Sequence, residues 1–81
     1  MVTPESIKQS LEAGLITEHV EVRGDGHHFE AVIVSTQFAG LSRIKQHQLV
    51  YAALGDRMRV EIHALSMQTL TPEQWAARDR G

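Results

Sequence analysis

The stretch His19-Val20-Glu21-Val22-Arg23-Gly24-Asp25-Gly26-His27-His28-Phe29-Glu30-Ala31-Val32-Ile33-Val34-Ser35 decides the fold. Val20 and Val22 alternate with Glu21 and Arg23, the period-two pattern of a half-buried strand. Gly24-Asp25-Gly26 follows, and Asp-Gly supplies the positive φ angles that a tight hairpin needs. The chain then returns from His28 to Ser35 with Phe29, Ala31 and Ile33 on one face. Val32 and Val34 make the other face apolar too, so this second strand is expected at the centre of a sheet, covered on both sides.

Helices are expected on either side of this hairpin. Thr3-Pro4 opens the first, because threonine can accept a free backbone N–H and proline has none to leave unpaired. Ile7, Leu11 and Leu15 recur at helical spacing, and Gly14 is placed to end the run. Downstream, Phe38-Ala39-Gly40 reads as a loop. A second helix is expected from Ser42 to Leu54, buried through Ile44, Val50, Tyr51 and Leu54 and ended by Gly55-Asp56. Arg59 to Met67 reads as a third strand, with Val60, Ile62 and Ala64 alternating with Arg59, Glu61 and His63. Thr71 and Gln74 have capping-box spacing, which starts a short last helix carrying Trp75.

The order is therefore α-β-β-α-β-α. A helix between the second and third strands implies a crossover and a mixed sheet. For 81 residues the economical answer is one α+β domain, 1–81: a three-stranded mixed sheet with helices on one face.

Composition narrows the chemistry. The chain has no cysteine and five histidines, His19, His27, His28, His47 and His63. That excludes a disulfide framework, a zinc finger and any self-sufficient thiolate-bound cluster. No basic-then-apolar start suggests a signal peptide, and no apolar run reaches the roughly 20 residues of a membrane helix, so a soluble, cytoplasmic protein without membrane contact is expected. Charge is uneven: residues 1–30 carry six carboxylates against Lys8 and Arg23, whereas residues 41–60 carry Arg43, Lys45, Arg57 and Arg59 against Asp56.

Catalytic constellations are missing. None of Ser6, Ser10, Ser35, Ser42 and Ser66 sits in a G-x-S-x-G elbow, and no phosphate-cradling glycine loop or zinc-protease motif occurs. A non-enzymatic role is expected. Two groups of residues remain. His27 and His28 at the hairpin turn, and His63 in the third strand, could reach one end of a mixed sheet, where neutral imidazoles would suit a transition metal. The plain alternative is a solvated turn histidine and a hydrogen-bonded strand histidine. Arg43, Lys45 and His47, with Arg57 and Arg59, could contact phosphates, or could be a solvated helix face. Arg43 and His47 lie four apart and share a face; Lys45 projects elsewhere.

Three separated motifs are specific when taken together. Gly24-Asp25-Gly26-His27-His28-Phe29, Phe38-Ala39-Gly40-Leu41-Ser42-Arg43, and His63-Ala64-Leu65-Ser66 followed by Thr71-Pro72-Glu73-Gln74-Trp75 resemble the BolA family, and within it the short bacterial IbaG-like subgroup. The resemblance implies an αββ(α)αβα fold similar to class II KH, with an extra short helix in the 38–54 region. It implies an adaptor that binds a monothiol glutaredoxin in iron–sulfur homeostasis and stress response. Glutaredoxin cysteine and glutathione would hold one side of a [2Fe-2S] cluster, and His63 would be a ligand on the other. His27 or His28 would be the second ligand. The same resemblance implies transcription regulation by DNA binding through Arg43, Lys45, His47, Arg57 and Arg59. A homodimeric interaction module is a third expectation.

Overall fold

A computed structural model of the chain describes residues 2–60, 62 and 64–80. Helix α1 spans Pro4–Gly14, strand β1 His19–Gly24 and strand β2 His28–Val34. A 3-10 turn at Thr36–Phe38 leads into helix α2, Arg43–Leu54, and the single turn α3, Arg57–Val60. Strand β3 covers Ala64–Leu70 and helix α4 Pro72–Arg80. The strands lie in the order β1-β2-β3, with β1 antiparallel and β3 parallel to the central β2. This is the α+β fold with a mixed sheet that the sequence predicts.

The caps form as the sequence requires. Thr3 Oγ1 accepts the Ser6 N–H, and Ser6 Oγ accepts the Thr3 N–H, each at 3.1 Å. Gln74 Oε1 accepts the Thr71 N–H at 2.9 Å, and Thr71 Oγ1 accepts the Gln74 N–H at 3.2 Å. Each pair satisfies two backbone donors that a helix start leaves unbonded.

Strand register sorts the side chains into two faces. Val20 pairs with Ile33 and Val22 with Ala31, while Phe29 pairs with Leu65 and Ala31 with Met67. These residues pack with Ile7 and Leu11 of α1 and Val50 and Leu54 of α2 in one core cluster. Two polar residues tie the connections to that core. Ser35 is fully buried, and its Oγ donates to the Ile16 carbonyl at 2.6 Å and accepts the Gln37 N–H at 3.0 Å. Gln46 Nε2 donates to the carbonyls of Phe38 and Leu41, and its Oε1 accepts the Thr69 hydroxyl at 2.6 Å. The loop before α2 is thereby held against β3.

The second face carries His19, Glu21, Val32 and Val34. Val34 is fully buried although it lies outside the core cluster. Its pairing partner His19 stacks on Trp75 of α4, with ring centroids 4.6 Å apart. Arg78 of α4 donates to Gln68 Oε1 at 2.6 Å on the same side. Helix α4 therefore crosses the second face, so the expectation of helices on one face holds for α1 and α2 and not for α4. The cause is the apolar patch that Val32 and Val34 would otherwise expose to solvent.

Three further expectations are corrected in place. Arg59 does not start the third strand: Arg57–Val60 is helical, the Ile62 N–H bonds the Arg57 carbonyl at 2.8 Å, and the strand runs from Ala64 to Leu70. The alternation of Val60, Ile62 and Ala64 imitates a strand, but Val60 closes a helical turn, and among the described residues the pairs with β2 begin at Ala64. The extra short helix expected within 38–54 falls just ahead of it, at Thr36–Phe38. Ile44 and Tyr51 are 71% and 42% exposed. They sit seven apart on one side of α2, and Val50 and Leu54 bury a different side.

Candidate functional site

The hairpin end is built by one carboxylate. Asp25 Oδ1 accepts the backbone N–H groups of both His27 and His28, each at 2.9 Å. Gly26, between Asp25 and His27, takes φ +101°, a conformation that L side chains rarely adopt. The Asp25 N–H closes the turn on the His28 carbonyl at 3.2 Å. The result is a fixed loop that presents His27 and His28, both exposed, at the end of the sheet.

Those two N–H groups, His28 first and His27 second, hold the Asp25 carboxyl below its ordinary pKa. A carboxylate with a depressed folded-state pKa stabilises the turn above its ordinary range, and that support is lost as pH falls through the lowered value. The His27 and His28 amide resonances should therefore move together below about pH 5, with a shared midpoint under the ordinary aspartate value. A common midpoint at or above the ordinary aspartate value would show that the turn is not organised by this carboxylate.

Strand β3 arrives beside the same loop. The Ala64 N–H bonds the His27 carbonyl at 3.2 Å, and Ala64 is in register with His28. His63 itself lies outside the described residues. Its successor in the chain is thus fixed against both hairpin histidines.

The donor set decides what such a corner could hold. Among the described residues no three His, Cys, Asp or Glu side chains converge to hold a metal ion. Two or three imidazoles with no thiolate in the chain fit half of a shared iron–sulfur site and not a whole one.

The basic residues are dispersed. Arg43 and His47 line one hollow with residues 67–70 of β3. Lys45 lines a different one with Leu41, Gln48 and Leu49. Arg57 is half-buried in α3, and the side chain of Arg59 lies outside the description. Residues two apart on a helix do not face each other, which is why Arg43 and Lys45 separate.

One cluster has no counterpart in the sequence reading. His19 Nε2 lies 2.9 Å from Glu21 Oε2, beneath the Trp75 ring, and the Arg78 guanidinium sits 5.6 Å from that ring's centroid. The His19 imidazole beside it is the main cause that lowers the Glu21 pKa. Only the i, i+2 spacing of His19 and Glu21 on one strand face hinted at the pair; Trp75 is 56 positions away. No helix of the described chain is long and apolar enough to cross a membrane.

Comparison with known proteins agrees with this architecture. The family described as "BolA-like protein" matches residues 2–74. The acid stress protein IbaG of Escherichia coli is 41% identical over 75 residues, covering 91% of this chain and 88% of IbaG. BolA-like protein 1 of Bos taurus is 39% identical over 80 residues, covering 86% of this chain; the match spans only 59% of that relative's length. A Haemophilus influenzae relative named DNA-binding transcriptional regulator BolA is 38% identical over 61 residues, covering 75% of this chain and 59% of the relative. Among solved structures, a BolA homologue from Coxiella burnetii superposes with a TM-score of 0.80 at 47% identity, over 94% of this chain and 99% of that one. Yeast Fra2 superposes with a TM-score of 0.76 at 30% identity, over 93% and 85%.

Proposed function

Because this chain belongs to the BolA family, we propose that it is a non-catalytic adaptor that contributes histidine to a [2Fe-2S] cluster shared with a monothiol glutaredoxin. The observation that carries this reading is the pairing of Ala64 with the His27-His28 hairpin. It brings the chain position next to His63 against two further imidazole donors. The chain has no cysteine, so the thiolates of such a cluster come from the partner. His63 would be one ligand, with His27 or His28 as the second. When bound, the cluster would supply redox and iron-transfer chemistry; neutral imidazole in place of anionic thiolate raises its potential. The chain's own part is to hold the ring nitrogens in place. Imidazole must be deprotonated to ligate, so the contribution weakens as pH falls.

The test is anaerobic co-purification with a monothiol glutaredoxin, followed by the visible absorption spectrum and cluster lifetime. His63→Ala is expected to shift the absorption bands and shorten the lifetime. An unaltered spectrum and lifetime would remove His63 from the ligand set.

The alternative, a DNA-binding regulator, rests on the name of the Haemophilus influenzae relative. Its phosphate contacts would come from Arg43, Lys45, His47, Arg57 and Arg59. The separation of Arg43 from Lys45 into different hollows makes it the second choice.

A further inference from the structure

Strand β3 is the sheet's outer strand on the side away from β1. In a parallel pair every second residue turns both its N–H and its C=O toward the same neighbour. The Ala64 N–H bonds the His27 carbonyl, and the Leu70 carbonyl accepts the Ser35 N–H at 3.0 Å. Ala64, Ser66, Gln68 and Leu70 therefore face β2. Leu65, Met67 and Thr69 direct their backbone groups to the outer rim.

That rim carries no charge or proline of its own. Exposed edges are commonly blunted by charge or proline. The opposite edge strand, β1, carries His19, Glu21 and Arg23. Strand β3 reads Ala-Leu-Ser-Met-Gln-Thr-Leu, with neither a charge nor a proline. Beside it lies a hollow of about 320 Å³ lined by Arg43, His47 and residues 67–70 of the strand. Residues of both strand faces line it, so it wraps the rim and not one face. Its lining has a guanidinium and an imidazole and no carboxylate.

We propose that the outer edge of β3 takes an extended acidic segment of a partner protein as a fourth strand, with Arg43 pairing to a carboxylate of that segment. A peptide backbone offers alternating donors and acceptors that match the rim. A phosphodiester backbone offers only acceptors, and no Phe, Tyr or Trp lines the hollow for a base to stack on. The negative charge of the segment follows from Arg43. The edge begins beside the histidine corner, but its proposed contacts use none of the histidines there, so its failure would leave the cluster reading untouched.

The experiment uses the full chain labelled with 15N. The first probe is an acetylated, amidated peptide of roughly eight alternating valines and glutamates. It should shift the amides of Leu65, Met67 and Thr69 saturably. The same peptide with lysine for glutamate, or with N-methyl groups on alternate backbone nitrogens, should bind at least about tenfold more weakly, as should the acidic peptide to Arg43→Glu. Absence of shifts on β3 would overturn the proposal, and so would equal binding by the N-methylated peptide. Tighter binding of an oligothymidylate of about ten nucleotides at the same amides would assign the edge to nucleic acid instead. Shifts of those amides with protein concentration alone, accompanied by faster sedimentation, would assign it to a second copy of the chain.

Discussion

Replacing Phe29 with alanine is expected to cost about 3–5 kcal/mol, the usual loss for a fully buried phenyl ring. Phe29 is 1% exposed and belongs to the core cluster. It pairs with Gly24 on β1 and Leu65 on β3, so one ring spans the hairpin and the crossover strand. Natural domains hold only about 5–15 kcal/mol in reserve, so this loss leaves the variant close to its unfolding threshold. Urea unfolding measures it directly. Phe29→Leu keeps most of the volume and should lose less than half as much. The same ring supports the strand segment behind His27 and His28, so under the proposed function the lifetime of a reconstituted cluster should shorten with Phe29→Ala and change little with Phe29→Leu. Equal stabilities for Phe29→Ala and the parent would show that the ring does not bear on the core.

Gly24→Ala should be nearly as damaging for the opposite reason. A Cβ at Gly24 would press into the Phe29 ring and stand 2.6 Å from the His28 carbonyl oxygen. The carbonyl is backbone, so relief requires the hairpin itself to spread. Overpacking of this kind costs about 1–3 kcal/mol, and the backbone contact puts this case at the upper end. The methyl group and the ring compete for one volume, so the two effects should not add. In a double-mutant cycle, Gly24→Ala should cost less in the Phe29→Ala background than alone. Strict additivity would mean that the clash is relieved elsewhere. The site should report the strain too, through displaced His27 and His28 amide resonances.

The hairpin was legible because two independent signals coincide there, alternating valines and Asp25-Gly26, although the positive φ falls on Gly26 and Asp25 acts instead through its carboxylate. The centrality of β2 followed from Val32 and Val34, which leave neither face polar. Other features are set by partners distant in sequence. Ile44 and Tyr51 have the right spacing for burial, yet a helix apolar on two sides cannot announce which side meets the sheet. Val60, Ile62 and Ala64 carry a strand-like alternation, but Arg57–Val60 is helical, and among the described residues the pairs with β2 begin at Ala64. The stacking of Trp75 on His19 depends on where a nine-residue terminal helix lands. For the candidate site, the histidines were visible as residue types. That the two places could meet at one end of a mixed sheet was legible too, but the Ala64–His28 register was not, because it is a property of the crossover.

The two sides of β2 also differ in how much chain they must gather. Gly24 meets Phe29 across five positions, whereas His28 meets Ala64 across 36. Closing the longer loop costs about 2 kcal/mol more in chain entropy, because the penalty grows with the logarithm of length. The hairpin is therefore a local structure that can stand early in folding, and β3 is a late arrival. The corner where Ala64 joins His27 and His28 is completed only when the rest of the domain has closed around it.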